Sequence, residues 1–174
     1  MKSFISFRVI LFFICLFVIS SRLHAQDDMG KPKPIDNPTM AMFMGTWTSD
    51  PYEFFGSNWT DVATHSMKYN GQYMVIDLSS KDDKSHSYTG VIYISCDKDG
   101  AVSGWGFDEW GGVTTMTGKA SGNHVSLTSK SAMGTEQREI EISGSTMVHT
   151  ISSVMKGQDG KDMTMKMTVT YHKN

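Results

Sequence analysis

The feature that most constrains this 174-residue sequence is the regular recurrence of glycine-containing turn signals. From Gly100 to Gly144, successive turn glycines are separated by 11, 11, 12 and 10 residues. Another turn pair stands at Asn70-Gly71, and no proline follows Pro51. Short strands with turn chemistry roughly every 8–12 residues are typical of an antiparallel β-sandwich or β-barrel.

The turns divide the chain into ten predicted strands. Their connections are too short for crossovers, so neighbouring strands pair antiparallel in a meander. Closing the sheet removes both exposed edges, and about eight strands already leave room for one small ligand. We therefore predict an all-β fold, an antiparallel meander of about ten strands closed into a β-barrel, with a two-sheet sandwich as the alternative. The predicted strands are 43–50, 59–69, 72–79, 87–96, 101–107, 113–120, 123–130, 135–143, 146–153 and 163–172.

Residues 1–25 have the three parts of a secretory signal peptide. Lys2 and Arg8 provide positive charge, residues 9–19 form an unbroken apolar run, and a small-residue site ends at Ala25. The run is shorter than the roughly 20 residues of a membrane span. We therefore expect an exported protein, periplasmic or secreted, cleaved after Ala25 and without a stable membrane span afterwards.

The rest of the chain divides into a tether and a domain. Residues 26–39 hold three of the four prolines and no apolar pattern, which is typical of a flexible tether. Residues 40–174 are predicted to form the barrel domain. One helical turn is expected within residues 39–44, leading into the first strand.

The charge argues against nucleic acid as a partner, and the cysteine content excludes an internal disulfide bond after cleavage. After Ala25, 13 basic side chains stand against 18 acidic ones, so the domain is a poor candidate for binding nucleic acid. Only Cys96 remains after cleavage, so an internal disulfide is impossible and a buried thiol is expected. The sequence leaves the oligomeric state open.

Side-chain alternation along the strands assigns their inner faces. In the last predicted strand, the apolar residues share one parity, and polar residues occupy the other. The apolar set must face the interior, and it consists of Met163, Met165, Met167, Val169 and Tyr171.

Arg138 is the exception on an apolar face and the only arginine after Ala25. It shares its parity with Ile140 and Ile142, and a buried guanidinium needs a partner. One interpretation is a structural ion pair with Glu136 or Glu109, or a strand end that reaches water. The other interpretation is that the Arg138 guanidinium binds a ligand carboxylate or phosphate inside the barrel through two of its N–H groups.

Two histidines also point inward by parity. His149 matches Met147 and Ile151, and His65 matches Ala63. Each can be an ordinary buried polar group. With Arg138 and Tyr171, they form a polar patch in an apolar cavity, which is typical of a small-molecule site. We expect Trp47, Trp105, Met165 and Met167 to line that cavity.

Methionine clusters raise the question of copper, because thioethers are soft ligands. The two period-2 runs begin at Met40 and Met163. In a closed meander, residue 43 would lie near 171 and residue 50 near 164. The two runs would then occupy opposite ends of the barrel, so we predict no metal site and no cofactor. No catalytic sequence motif is present either.

Several short motifs resemble a known family. The segment Phe43-Met44-Gly45-Thr46-Trp47 is similar to the G-x-W opening strand of lipocalin-like (calycin) barrels. Over residues 39–173, the order of elements resembles the bacterial exported family labelled domain of unknown function 1579. Its pattern resembles Gly71-Gln72-Tyr73-Met74, residues 90–97, Trp105-Gly106-Phe107-Asp108, Met116-Thr117-Gly118, Arg138-Glu139, Asp159-Gly160-Lys161 and Thr170-Tyr171.

The resemblance implies an exported barrel related to lipocalins and fatty-acid-binding proteins, without an assigned activity. Fatty-acid-binding barrels hold a carboxylate with inward Arg and Tyr groups, a role that the resemblance gives to Arg138 and Tyr171. Haem-binding barrels of similar size use a late His, here His149. The opening strand lacks the further glycine that follows the Trp in those proteins.

Together, these observations predict a non-enzymatic binding protein with a small apolar or amphipathic ligand in the barrel. One alternative is a small-barrel enzyme that uses His65 or His149 as acid or base near the ordinary pKa of about 6.5. Another is a structural or interaction module with a filled barrel. Haem or copper binding is a minor alternative.

Overall fold

The structure is a computed structural model that describes residues 34–157 and 160–174. These residues form one short helix and eleven strands. The predicted signal peptide, its cleavage after Ala25 and the first part of the tether lie outside these residues. The elements are α1 (Pro38–Met42), β1 (Gly45–Ser49), β2 (Tyr52–Phe54), β3 (Ser57–Lys68), β4 (Tyr73–Asp82), β5 (Ser87–Cys96), β6 (Ala101–Asp108), β7 (Val113–Ser121), β8 (His124–Ser131), β9 (Gly134–Ser143), β10 (Thr146–Lys156) and β11 (Asp162–Lys173).

Ten of the strands form a closed antiparallel barrel. From β3 to β11 each strand pairs with the next, and β1 closes the sheet by pairing with both β11 and β3. At the closure, Trp47 lies opposite Lys173 on one side and Ala63 on the other. The predicted barrel is confirmed, and the sandwich alternative is wrong. The strand missed by the prediction is β2, which pairs with β3 outside the closed ring.

The register of closure differs from the prediction. Ser49 lies opposite Tyr171, and the Asp50 amide donates to the Thr170 carbonyl at 2.8 Å. The prediction that residue 50 lies near residue 164 is therefore wrong. A closed barrel requires its strands to be tilted and staggered, so a five-residue strand meets only the end of β11.

Three aspartates shape consecutive turns in the same way. Asp82, Asp97 and Asp108 each end a strand or directly follow one. In each case Oδ1 accepts the backbone N–H groups two and four residues further on, at 2.7–2.9 Å. Such bonds give a hydrogen-bond acceptor to backbone N–H groups that have no partner within a tight turn.

The helix α1 closes one end of the barrel. The Asn37 side chain accepts from the Thr39 amide at 3.0 Å and caps the helix, and Pro38 occupies its first turn. Thr39 Oγ1 donates to the Gly122 carbonyl at 2.8 Å, in the turn between β7 and β8. Met40 is 1% exposed, so the expected helical turn is confirmed as an apolar plug.

The compact unit begins at Pro34. The Ile35 amide donates to the Gly71 carbonyl at 2.8 Å, in the turn between β3 and β4. Residues 34–39 therefore belong with the barrel, although the sequence placed them in the tether. No helix among the described residues is long and apolar enough to cross a membrane.

Candidate functional site

The residues predicted to line the cavity fall into three groups. Trp47 is 0% exposed and its Nε1 donates to the Phe43 carbonyl at 2.7 Å, so it belongs to the packed floor above α1. Met165 and Met167 lie half-buried on the inner face of β11. Trp105 lies on the outer face of β6 and is 43% exposed, so its predicted place in the cavity wall is wrong.

Glycines explain the orientation of Trp105. The buried positions of β6 are Val102, Gly104 and Gly106, so Trp105 points outward between two inward glycines. A Cβ at Gly104 would lie 2.7 Å from Ile94 Cδ1 and 2.8 Å from the Tyr93 carbonyl oxygen. The inner face here has no room for a side chain at position 104, and the large aromatic ring takes the outer face.

Arg138 is ion-paired inside the barrel. Its Nε and Nη2 lie 3.0 and 2.9 Å from Glu136 Oε1, so Glu136 is the partner among the predicted candidates. The other predicted candidate, Glu109, accepts instead from Thr89 Oγ1 at 2.9 Å. Ser153 Oγ donates to Glu136 Oε2 at 3.4 Å. Burial opposes the guanidinium charge, but Glu136, Tyr171 and Asp61 together outweigh burial and raise the Arg138 pKa.

The buried carboxylate of Asp61 accepts hydrogen bonds from two tyrosines of the interior. The hydroxyls of Tyr171 and Tyr52 donate to Asp61 Oδ2 and Oδ1 at 2.6 and 2.9 Å. The Asp61 amide donates to Ser49 Oγ at 2.8 Å. Burial, followed by the Asp61 charge, raises the pKa of both tyrosines, so each hydroxyl keeps its proton and donates it to Asp61.

Asp61 and Tyr52 were missed by the sequence reasoning for different reasons. Asp61 shares its parity with Ala63 and His65, so the alternation rule carried the signal for its inward position. Tyr52 lies in β2, a three-residue strand that is too short to show any period. No sequence pattern pointed to Tyr52.

His149 connects the two polar groups. Its ring centroid lies 4.7 Å from that of Tyr171, and its Nδ1 lies 3.3 Å from Arg138 Nη1. A guanidinium has no acceptor, so Arg138 donates and Nδ1 accepts. The proton of the neutral ring is thereby assigned to Nε2. Nε2 is buried and has no hydrogen-bond partner among the described residues.

His65 provides a second buried imidazole. Its ring stacks on Phe43, with centroids 5.9 Å apart and planes 7° apart. Its Nδ1 is also buried and lacks a partner within the described chain. Burial, with a smaller contribution from Lys173, lowers its pKa to about 4.

Both histidines are therefore neutral near pH 7. Burial, followed by Arg138 and His65, lowers the His149 pKa well below its usual value. The expectation of an interior acid or base with a pKa near 6.5 is not met at either position. The structure brings Arg138, His149 and Tyr171 together, as the parity of their strands predicted.

The wall around this polar cluster is apolar and incompletely covered. Five large inward side chains remain only partly buried, although they pack against the core: Ile76, Ile92, Met116, Leu127 and Met167. The side chains of Arg138 and Glu136 are 29% and 28% exposed. Because these residues face inward, their partial exposure shows that water reaches part of the inner face of the barrel.

The protonation of His149 does not favour coordination of haem iron. No group of three or more potential ligands among His, Cys, Asp and Glu occurs in the described residues. Iron would need a lone pair on His149 Nε2, which carries the proton while Arg138 donates to Nδ1. The methionine runs begin at opposite ends of the barrel, with Met40 in the plug and Met163 beside the β10–β11 turn.

Comparison with known proteins supports the fold. No protein-family model and no curated protein matches the chain. The crystal structure of Rv2717c from M. tuberculosis is similar, with a TM-score of 0.60 and 11% sequence identity. The match covers 79% of this chain and 98% of that one. At this identity, the likeness shows that the two chains share the architecture of a β-barrel.

Proposed function

We propose that this protein is an exported binding protein that holds one small apolar or amphipathic molecule inside the barrel. The observation that carries the proposal is the combination of partly exposed apolar residues on the inner wall with buried polar atoms that have no partner among the described residues. The apolar wall favours a hydrocarbon body, and the polar atoms favour a head group with hydrogen-bonding capacity.

The polar atoms support a ligand because buried groups are rarely left unsatisfied. His149 Nε2 and His65 Nδ1 are both buried without a partner in the described part of the chain. Leaving such a group unpaired costs about 1–3 kcal/mol. A ligand head group that forms a hydrogen bond with such an atom removes this cost, and the free energy recovered contributes to the affinity for the ligand.

The apolar wall supports a ligand through burial. Ile92, Met116 and Leu127 face the interior but retain exposed surface. Covering apolar surface contributes roughly 25 cal/mol per Å², so a hydrocarbon chain laid against these residues gains affinity from each contact. Methionine adapts to irregular partners, which suits a wall that accepts flexible chains.

Export and the resemblance to the family labelled domain of unknown function 1579 belong to this proposal. The signal peptide predicted in residues 1–25 supports export, and its cleavage would leave Gln26 as the first residue. Expression of the full chain in a bacterial host, followed by fractionation and intact mass measurement, tests export and the position of cleavage. A periplasmic or secreted protein that begins at Gln26 is expected.

The ligand itself is tested by native mass spectrometry of the exported protein, compared with the spectrum after denaturation. A mass excess that disappears on unfolding is expected, and its value distinguishes a lipid from haem or copper. Titration with a fluorescent apolar probe should show one saturable site. A bare mass together with no probe binding would support a filled barrel instead.

A pair of tryptophan substitutions locates the site. Leu127→Trp enlarges an inward side chain on β8 and should abolish probe binding. Thr128→Trp places the same ring on the outer face of the same strand and should leave binding unchanged. Equal binding by both variants would place the probe outside the barrel and overturn the proposal.

A further inference from the structure

We propose that the interior selects ligands whose head group is an uncharged hydrogen-bond acceptor, such as a hydroxyl, ester or amide, and discriminates against carboxylates. The inference rests on the proposed function and specifies the chemical class of its ligand. It departs from the carboxylate that the resemblance to fatty-acid-binding barrels implies.

The first observation is the position of the His149 proton. Arg138 Nη1 lies 3.3 Å from Nδ1, so Nδ1 accepts and Nε2 carries the hydrogen. His149 is 8% exposed, and Nε2 has no partner among the described residues. The interior therefore holds a buried N–H donor that is closed to solvent, and an oxygen acceptor on a ligand satisfies it when the surrounding side chains move to admit the ligand.

The second observation is the charge around that donor. Asp61 and Glu136 are negative, Arg138 is positive, and both interior histidines are neutral near pH 7. The two carboxylates exceed the guanidinium by one negative charge, and Lys173 supplies a further positive charge that acts on His65. A ligand carboxylate would bring a further negative charge close to Asp61 and Glu136, in an interior that water only partly reaches, which is costly. An uncharged head group avoids this cost.

The third observation concerns the donors that a carboxylate would need. Arg138 directs Nε and Nη2 at Glu136 and Nη1 at His149. The Tyr171 hydroxyl donates to Asp61 at 2.6 Å. Three of the five N–H groups of Arg138 and the hydroxyl of Tyr171, the pair of side chains that holds carboxylates in fatty-acid-binding barrels, are thus engaged by residues of this chain. Arg138 and Tyr171 are positioning residues here, because they fix the ring of His149 and its proton.

The test compares ligands that differ only in the head group. A fatty acid, the fatty alcohol, the methyl ester and the alkane of equal chain length compete against the apolar probe at pH 7.5. The alcohol and the ester are expected to bind at least about tenfold more tightly than the carboxylate and the alkane, which corresponds to about 1.4 kcal/mol.

Substitution at His149 tests the donor. His149→Phe removes the N–H group but retains a ring, and the tenfold preference for the alcohol and ester over the alkane should disappear. His124→Phe, on the outside of β8, should leave the preference unchanged. A preference that survives in His149→Phe would overturn the role of His149.

Substitution at Glu136 tests the charge and does not depend on a loss of function. Glu136→Gln removes one negative charge from the interior and breaks the ion pair that holds Nε and Nη2 of Arg138. The carboxylate is expected to gain at least about tenfold in affinity, while the alkane is unaffected. No gain in carboxylate affinity would overturn the electrostatic argument.

The outcomes separate this inference from the proposed function. A carboxylate that binds wild type as tightly as the alcohol overturns the inference, while interior binding itself stands. Failure of all four ligands and of the probe to bind wild type overturns the proposed function, and the inference with it.

Discussion

Asp61 is a buried carboxylate, and each of its two oxygens accepts a hydrogen bond from a tyrosine hydroxyl. Ser49 holds the backbone at the same point, because its hydroxyl oxygen accepts from the Asp61 amide. Hydrogen bonds to an ionised group are stronger than those between neutral groups, so these contacts compensate part of the desolvation of the carboxylate. The two tyrosines come from β2 and β11, and Asp61 thereby joins the outer strand to the closure of the barrel.

Removing one of these donors should destabilise the protein. Tyr171→Phe deletes the 2.6 Å bond to Asp61 and is expected to lower the free energy of unfolding by about 2 kcal/mol. Urea denaturation measures the change. Tyr73→Phe, on the outer face of β4, keeps the ring contacts with Tyr69 and Tyr93 and should change it little. Equal effects of the two substitutions would contradict the assigned hydrogen bond.

The buried histidines should make stability depend on pH. The pKa of His65 is lowered to about 4 in the folded state, against about 6.5 in the unfolded chain. Between these values the unfolded state binds the proton and the folded state does not. Stability should therefore fall by up to about 3 kcal/mol from this group as pH decreases from 6.5 to 4.

The matched variant isolates His65 from the other titrating groups. His65→Phe retains a ring against Phe43 but removes the titration. Its free energy of unfolding, measured in urea at several pH values, should decline less steeply over this window than that of wild type. Parallel profiles of the two proteins would show that His65 titrates normally.

At the scale of elements, the five-residue helix α1 contributes more through burial than through its own stability. A helix this short is unstable in isolation. Met40 is 1% exposed, and Phe43, directly after the helix, packs in the same core. The Asn37 cap and the bond from Thr39 to Gly122 set the position of the helix. The helix is therefore held by the barrel end that it covers.

Truncating the plug should have a large effect. Met40→Ala is expected to cost about 2–5 kcal/mol, as is usual for large-to-small changes at buried sites. Met133→Ala removes an equal side chain in the β8–β9 turn, where the residue is 66% exposed, and should cost little. Thermal and urea unfolding of both variants provide the measurement. A small loss in Met40→Ala would mean that the plug does not belong to the cooperative core.

The element scale also shows which features the sequence could predict. All ten strands of the ring were predictable because turn glycines and side-chain alternation are local signals. The inward position of Arg138 followed from its neighbours Ile140 and Ile142. The prediction for Trp105 is wrong, because Gly104 and Gly106 occupy the inward positions of β6 and the tryptophan ring lies on the outer face. The partner of Arg138 was narrowed to two candidates and required the three-dimensional structure.

Strand stagger was beyond the reach of the sequence. The register between β1 and β11 depends on the tilt of all ten strands, and no short segment encodes that tilt. The protonation of His149 was also inaccessible, because it depends on Arg138, which lies eleven residues away on the neighbouring strand. The candidate residues could thus be named, but their hydrogen-bond directions could not.

At the scale of the whole molecule, closure depends on the shortest strand of the ring. Only three residue pairs join β1 to β11, whereas eleven join β10 to β11. The Asn174 amide adds a bond to the Thr46 carbonyl at 3.0 Å, and the Asn174 side chain contacts Thr48 Oγ1. The pairing removes the exposed edges of β3 and β11, which would otherwise be open to pairing with other chains.

Removing this closure should convert the barrel into an open sheet. A chain that ends at Val169 lacks all three partners of β1 on β11 and is expected to lose cooperative unfolding and to aggregate. Near-ultraviolet circular dichroism and light scattering measure both effects. A chain without Asn174 alone retains the strand pairs and should remain folded. A cooperative transition in the longer truncation would show that closure is dispensable.

The pairing of β1 with β11 also sets an order of events during synthesis. Thr48 and Asn174 are in contact although 126 positions separate them along the chain. The interior cannot be sealed while β11 is still being made, because its last partner does not yet exist. Contacts between such distant positions slow folding. The barrel of a nascent chain of this protein therefore remains open until the final strand has been made.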